Sequence, residues 1–331
     1  MRDPTDTMRD YNNSHSQSFL GVASLALLNQ SMKNLQLPGW VKKISDRPHS
    51  LSAYSNNEME DLRSKIARLT DPNPLVSVVI PAWNEEEGIL HTIISLANSI
   101  TAYPVELIVV DNNSTDGTPA LLKALGVKTL LETKQGVGHS RTLGLHEAKG
   151  KYILTGDSDT LYPPTWIDSM TRALIEGENK PVYCVSGTYS FLPSQTTPRW
   201  QYSLYEMMSY LVIKKKEKTK PYLNVLGFNC GFVRAKGIEV DGYAIEKQRT
   251  FRGSAGVSED NATEDGMMAY KLMEAGGFHA IKRIHSDEAR VWTGDRRIQM
   301  DGGIAKALKM RVDKHLFSPV FRSVRSFAPN W

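Results

Sequence analysis

From residue 75 onward, short apolar runs alternate with amphipathic stretches, and the alternation predicts strands and helices in turn. Leu75–Ala82 is nearly continuous in apolar residues, as a strand buried on both faces requires. It runs out at Pro81, Ala82, Trp83, Asn84 and three glutamates, and a helix follows with Ile89, Leu90, Ile93, Ile94 and Ala97 on one side. The next run, Val105 to Val110, ends in Asp111-Asn112-Asn113-Ser114-Thr115-Asp116-Gly117-Thr118. There Thr118 is placed to cap and Pro119 to open a helix over 119–125 that Gly126 closes. A third strand, Val127 to Leu131, leads through the Gly-Val-Gly turn at 136–138 into a helix over 139–149, stopped by Gly150. The fourth, Lys-Tyr-Ile-Leu-Thr-Gly-Asp-Ser-Asp at 151–159, brings two carboxylates to its tip. Four strands alternating with three helices predict a Rossmann-like, mostly parallel α/β sheet with helices packed on it.

Ligands of such sheets bind at the carboxyl ends of the strands. Asn84 and Glu85, Asp111, the segment from Gly136 to Arg141, and Asp157 with Asp159 all fall there. An Asp-x-Asp pair suits a hard divalent cation shared with substrate phosphates. Lys134 and Arg141 flank the glycine turn and suit anions, Arg as a planar fork and Lys as a point charge.

Val-Ser-Val-Val-Ile-Pro-Ala-Trp-Asn-Glu-Glu, Val-Val-Asp-Asn-Asn-Ser-Thr-Asp-Gly-Thr, Gly-Asp-Ser-Asp and a later Thr-Glu-Asp-Gly-Met-Met resemble the family 2 glycosyltransferases of the GT-A fold, over roughly residues 74–300. The resemblance implies a nucleotide-diphosphate-sugar donor, UDP the more frequent, a Mn²⁺ or Mg²⁺ ion, and transfer of a hexosyl or N-acetylhexosaminyl group with inversion. It makes Asp111 a partner of the base, the alternative being a turn-forming residue, and brings Pro81, Ala82, Trp83, Asn84 and Glu85 near base and ribose. Trp83 suits either stacking on the base or packing. Gly136, Lys134, Arg141, Asp157 and Ser158 join the donor side, and Asp157 and Asp159 hold the metal, with His285 a third candidate ligand. Asp265 is implied as the base that takes a proton from the acceptor, with Glu264 beside it. First-turn position stabilises that carboxylate as the anion, whereas burial opposes this. Ser258-Glu259-Asp260 offers a second acid pair, and the loop 250–262 a lid over bound donor.

Between these motifs, Pro181–Phe191 reads as a strand and Pro198–Lys216 as an amphipathic helix. The stretch from Asn224 to Arg234 resembles the glycine-containing segment beneath the acceptor, which makes Gly227, Asn229 and Gly231 acceptor contacts. Strands are expected at Phe278–Ile284 and Ala289–Thr293. Arg296 and Arg297 follow, to touch diphosphate or an anionic acceptor, or to pair with Asp295 or Asp301.

A chain of 331 residues with 40% hydrophobic content can build one large domain and an appendage. The expected divisions are an N-terminal extension 1–73, a donor half 74–190, an acceptor and base half 191–316, and a tail 317–331. In the extension, the first eighteen residues are polar. Phe19–Leu37 and Asn57–Leu69 read as helices that pack on the catalytic domain or form a homodimer. Two cysteines and no run near the ~20 apolar residues of a membrane span predict a cytoplasmic protein. The net charge is +4, and its one dense basic feature is Lys214–Lys220, a solvated helix end or a peripheral contact with anionic lipid headgroups or nucleic acid. The leading reading is a transferase of polysaccharide, glycolipid or other glycoconjugate synthesis, acting on a saccharide or lipid-linked acceptor. The alternatives are a non-catalytic nucleotide-sugar-binding or assembly subunit, and a transferase acting on modified nucleic acid. A sugar-nucleotide pyrophosphorylase is disfavoured, because Pro81–Glu85 is not a basic, glycine-rich phosphate loop.

Overall fold

The computed structural model describes residues 35–243, 264–300 and 302–312. Two helices come first, α1 (Gly39–Ser45) and α2 (Asn56–Ala67). The alternating part is β1 (Val76–Ala82), α3 (Ile89–Ala97), β2 (Val105–Asp111), α4 (Thr118–Leu125), β3 (Lys128–Leu131), α5 (Val137–Glu147) and β4 (Tyr152–Thr155). Then follow β5 (Thr160–Leu161), α6 (Trp166–Ile175), β6 (Cys184–Ser186), β7 (Tyr189–Phe191), α7 (Arg199–Thr219), β8 (Cys230–Val233) and α8 (Arg234–Glu239). The last elements are α9 (Glu264–Gly276), β9 (Ile281–Arg283), β10 (Val291–Thr293), α10 (Arg296–Met300) and α11 (Ile304–Val312).

Seven strands form one sheet in the order β3-β2-β1-β4-β8-β6-β9, and only β8 runs antiparallel to its neighbours. This is the Rossmann-like, helix-flanked α/β sheet that the pattern predicts. The continuous apolar runs are explained by two covered faces. Val76, Val78, Ile80, Leu107 and Val109 belong to the cluster on one face, and Val79, Ile108 and Val110 to that on the other. Successive side chains of a strand point to opposite faces, so both faces need apolar residues. Glu106, near the start of β2, is buried and charged. It accepts from Ser77 Oγ at 2.6 Å, Lys128 Nζ at 2.9 Å and the Lys149 amide at 2.6 Å, the partners that a buried carboxylate needs.

The described part of the extension packs on the α/β sheet domain. Ser55 and Glu58 cap α2 reciprocally. Arg63 Nε donates to the Ala124 carbonyl at 2.9 Å and Arg68 Nη2 to that of Ala97 at 3.1 Å. Val41, Ile44, Leu62 and Ile66 join the same core as α3. The expected helix Phe19–Leu37 lies outside the described residues except for 35–37, which are not helical.

Several boundaries differ from expectation. The single strand expected over Pro181–Phe191 is two, β6 in the large sheet and β7 in a second sheet of order β5-β10-β7. The break is at Gly187, where a side chain would overlap the Ala289 carbonyl and Asn229, so the chain passes between sheets where only glycine fits. Thr118 is the first residue of α4 rather than its cap; its amide donates to Asp116 Oδ1 at 3.0 Å. Phe278–Ala280 is a 3₁₀ turn, so β9 is shorter than its apolar run. Helix α7 extends past Lys216 to Thr219, because lysines suit the negative end of a helix dipole. Among the described residues no helix is long and apolar enough to cross a membrane.

Candidate active site

The carboxyl ends of β1, β2 and β4 lie side by side, and their loops are tied together. In the β1–α3 loop, the Asn84 amide donates to Ser114 Oγ at 2.9 Å, and Asn84 Oδ1 accepts from the Thr115 amide at 2.8 Å. The Glu85 amide donates to Thr118 Oγ1 at 2.9 Å. Asn112, fully buried, holds the third loop: its Nδ2 donates to the carbonyls of Glu132 at 2.9 Å and Lys134 at 2.8 Å, and its Oδ1 accepts from the Gly136 amide at 2.8 Å. Asp111 ends β2, mostly buried, one oxygen accepting from the Ser114 amide at 3.2 Å. Trp83 is half-buried, Pro81 and Ala82 are buried in β1, and Lys134 is exposed at the same rim.

After β4, the chain turns through Asp157, Ser158 and Asp159. The Asp157 amide donates to Tyr162 Oη at 2.9 Å, and the Ser158 carbonyl accepts from Thr92 Oγ1 at 2.8 Å, which pins the turn to α3. The Asp159 carbonyl accepts from the Gly294 amide at 3.3 Å, and Thr160 and Thr293 hydroxyls meet at 3.0 Å. These contacts bring the end of β10 over the turn, and with it Arg296.

Two arginines organise the acids. Arg141, 2% exposed, reaches Asp157 Oδ1 with Nη2 at 2.7 Å, and Asp265 Oδ1 and Glu264 Oε1 with Nη1, the latter at 3.4 Å. Arg296 Nη2 lies 2.9 Å from Asp159 Oδ2 and 2.8 Å from Glu85 Oε1. So Glu85, Asp157, Asp159, Glu264 and Asp265, five carboxylates, share two guanidiniums. Positive charge is in deficit, and the carboxyl groups show it. Burial pushes Glu85 up to about 7, against the pull of Arg296, with Asp159 and Asp157 adding to the rise. Burial likewise raises Asp265 to about 6; Arg141 and the Gly227 amide oppose it, while Glu264 and Asp157 add to it.

The donor set fits a hard cation. Asp157 and Asp159 offer only carboxylate oxygens at the sheet edge, and Mg²⁺ or Mn²⁺ typically takes one or two carboxylates and fills the rest of its shell with phosphate and water. No cluster of three or more His, Cys, Asp or Glu side chains is poised for a metal among the described residues, so the protein alone supplies part of a shell.

Residues 77–237, from β1 into α8, match the model of glycosyl transferase family 2. That segment, just under half of the chain, is similar to the family 2 glycosyltransferases. Among curated relatives, the glycosyltransferase YfnE of Bacillus subtilis, itself uncharacterized, is 30% identical over 108 residues, 31% of this chain and 28% of that protein. The dolichol-phosphate mannosyltransferase of Pyrococcus furiosus is 30% identical over 109 residues, 31% of each chain. The undecaprenyl-phosphate 4-deoxy-4-formamido-L-arabinose transferase of Yersinia enterocolitica is 33% identical over 122 residues, 34% of this chain and 36% of that one. The chain thus matches about a third of the length of these relatives. Among solved structures, glucosyl-3-phosphoglycerate synthase from Mycobacterium tuberculosis with Mn²⁺ and UDP-glucose is similar with a TM-score of 0.49 at 18% identity, over 81% of this chain and 84% of that one.

Within the matched segment and the one that follows it, the predicted residues separate into those the fold brings together and those it does not. Glu85, Asp157, Asp159, Glu264, Asp265, Arg141 and Arg296 meet in one connected group. Arg141 departs from its expected role. Expected to reach phosphate or ribose, it is a buried link between Asp157 and the acid pair of α9. The reason is its place on α5, whose buried face also carries Gly138, Gly144 and Leu145. Glu85 reaches the Asp-x-Asp turn through Arg296. Of the acceptor candidates, Gly227 lies directly on the Arg141–Asp265 pair, where any side chain would overlap both. Asn229 is spent internally: Oδ1 accepts from Trp166 Nε1 at 2.8 Å, and Nδ2 donates to the carbonyls of Thr188 at 2.7 Å and Ala289 at 2.9 Å. Gly231 is buried in mid-strand against Leu154, with β4 and β6 on either side, so it is out of an acceptor's reach. His285 pairs with Glu217 at 3.0 Å on the end of α7 instead of joining the acid pair. Ser158 is buried beside the two acids. The side chain of Arg297, the pair Glu259-Asp260, Thr263 and the loop 250–262 lie outside the described residues. The residue that sequence reading missed is Asn112, taken for a turn former; the signal was its position directly after a buried strand, ahead of the glycine loop that it holds.

Proposed function

We propose that this protein moves a sugar from a nucleotide-diphosphate donor, UDP-linked by preference, to a hydroxyl of a saccharide, glycolipid or other glycoconjugate acceptor, with a divalent cation and with inversion. The observation that supports it best is the acid group at the sheet edge, in which Arg141 joins Asp157 to Asp265 and Arg296 joins Asp159 to Glu85. A single displacement needs a leaving-group clamp and a base on opposite sides of the anomeric carbon.

The nucleoside would lie across the ends of β1 and β2, where Asp111 offers a carboxylate and the 132–136 loop is pinned by Asn112. Asp157 and Asp159 would hold Mg²⁺ or Mn²⁺, and that ion, when bound, neutralises charge on the departing diphosphate. Arg296, half-exposed on α10, is free to turn from the acids to the diphosphate. Asp265 would accept the proton of the acceptor hydroxyl; its elevated pKa places a carboxylate closer to the pH at which a base is useful. Arg141 would hold that carboxylate in place and keep it ionised.

Donor hydrolysis with and without Mn²⁺, together with a thermal-shift screen of nucleotide-sugars, tests the proposal. Wild type should turn over one donor only with metal. Asp265→Asn should lose turnover while still binding the nucleotide. Unchanged turnover in that variant would remove Asp265 from its role, and a wild type that binds donor tightly but never turns it over with any acceptor would leave a binding subunit.

A further inference from the structure

Away from the donor acids, a cavity of about 190 Å³ opens where α7 ends, at the carboxyl ends of β6 and β9. Arg283 forms its inner wall, with a side chain 7% exposed, and its Nε has no hydrogen-bond partner among the described residues. His285 lines it too, 43% exposed, and Lys214, 40% exposed and outside the lining, brings its Nζ to 3.5 Å from His285 Nε2. One carboxylate, Glu217, sits among the three: 3.0 Å from His285 Nε2, 3.4 Å from Arg283 Nε and 3.3 Å from Lys214 Nζ. Its Oε1 is buried without a hydrogen bond of good geometry. Glu217 therefore occupies the place of an anion, and holds it loosely.

The position of this cavity is as telling as its charge. Strands β6 and β9 run parallel to one another and antiparallel to β8, which is itself antiparallel to β4. The cavity is thus on the same sheet edge as Asp157, two to three strands away. The carbonyl of Asn224, another lining residue, accepts from Arg283 Nη1 at 3.1 Å. Three residues on is Gly227, which touches Asp265. Three residues span at most about 11 Å, so the cavity wall is no more than the length of a sugar phosphate from the proposed base.

We infer that this cavity is an anion subsite for the acceptor, in which Arg283, His285 and Lys214 take a phosphate or carboxylate group and Glu217 yields its place. Assigning the anion to the acceptor rests on the transferase reading; anion binding itself does not. Arg supplies a planar fork and Lys a point charge, a pairing suited to either group. Arg290, packed close by, adds positive potential at His285.

The test follows the imidazole carbon-bound proton resonance of His285 in the whole protein, assigned with His285→Gln. Inorganic phosphate, acetate, and an isoprenyl monophosphate in neutral detergent micelles are added at constant ionic strength, with sodium chloride as control. At least one anion should move the resonance saturably where chloride does not; the tightest of the three distinguishes a soluble phosphate, a carboxylate and a lipid-linked phosphate. Arg283→Gln should weaken that binding about tenfold or more, the worth of one charged hydrogen bond. Glu217→Gln, which removes the resident charge without emptying the space, should tighten it. A His285 resonance indifferent to all three anions overturns the proposal, as does a Glu217→Gln variant that binds them more weakly. Donor turnover is measured alongside. If the donor is never turned over but His285 still responds, the transferase reading fails and the anion site stands; turnover with a silent His285 has the opposite meaning.

Discussion

Replacing Arg141 with methionine would keep most of the side chain's length and remove its charge. Asp157, Glu264 and Asp265 would then lose the guanidinium they share, in surroundings where Arg141 itself is 2% exposed. Breaking one buried ion pair costs about 3–5 kcal/mol, because it strands an uncompensated charge. Against a total stability of about 5–15 kcal/mol this is a large fraction. At about 2 °C per kcal/mol, the low end suited to a long chain, the melting temperature should fall by about 6–10 °C. The deficit should also depend on pH. Burial already holds Asp265 at about 6 with Arg141 pulling it down, so the variant's value lies higher still. A carboxyl whose folded pKa exceeds its unfolded value binds protons more tightly when folded, so stability falls as pH rises from the ordinary carboxylate range through the folded value. The variant should therefore lie nearest wild type around pH 5 and farthest from it near pH 8. Thermal unfolding followed by circular dichroism over that range would measure both. A drop under about 2 °C near pH 8, or a deficit that does not change with pH, would refute the buried triple ion pair as the centre of the site.

Three further outcomes are expected. The pH profile of kcat/KM for the wild type should rise through a limb near 6, the value burial gives Asp265, rather than near 4; a limb in the ordinary carboxylate range would assign the base elsewhere. Asp159→Asn should weaken UDP binding in calorimetry with Mn²⁺ present and leave it nearly unchanged with chelator, and equal losses in both would detach Asp159 from the metal. Asn112→Ala strands the Glu132 and Lys134 carbonyls and the Gly136 amide, a cost of about 2–4 kcal/mol at 1–3 kcal/mol for each buried unmet group less local relaxation; urea unfolding checks this, and a loss below about 0.5 kcal/mol would mean that the loop holds itself.

The sheet was legible because burial on both faces leaves a direct mark: β1 and β2 are apolar at successive positions that face opposite clusters. The strand-end acids were legible for the same reason, since a carboxylate directly after such a run can only lie at an edge. Pairings across the chain were not. Asp265 lies 124 positions from Arg141 and Arg296 137 positions from Asp159, and no local pattern encodes which acid a guanidinium will meet. Arg141 was nonetheless recoverable in part: spaced three and four residues from Gly138, Gly144 and Leu145, it shares the inward face of α5, which sets a buried ion pair above a surface contact. The split of Pro181–Phe191 was hidden because β-branched and aromatic residues continue across Gly187, and only the approach of Asn229 and Ala289 forces the chain from one sheet to the next. His285 was misassigned because a histidine after a strand says nothing about which helix end it will meet.

The two arginines hold the same kind of partner under unlike conditions, and this divides their work. The Arg296 side chain is 55% exposed, so its pairs with Asp159 and Glu85 are solvated and worth little. Exchanging those carboxylates for a diphosphate, as the proposal requires, would cost it little. Arg141 has no such freedom. From α5 it reaches partners on two other elements, the β4 turn and α9, and Gly227 closes over the pair. Moving it would expose buried acids, so it stays while ligands come and go. On the proposed reading, a cation brought by the donor would meet acids that Arg296 can release, while Asp265 would keep the position that Arg141 sets. Donor affinity and base geometry would then be controlled by different arginines, although both pair with the same short acidic turn.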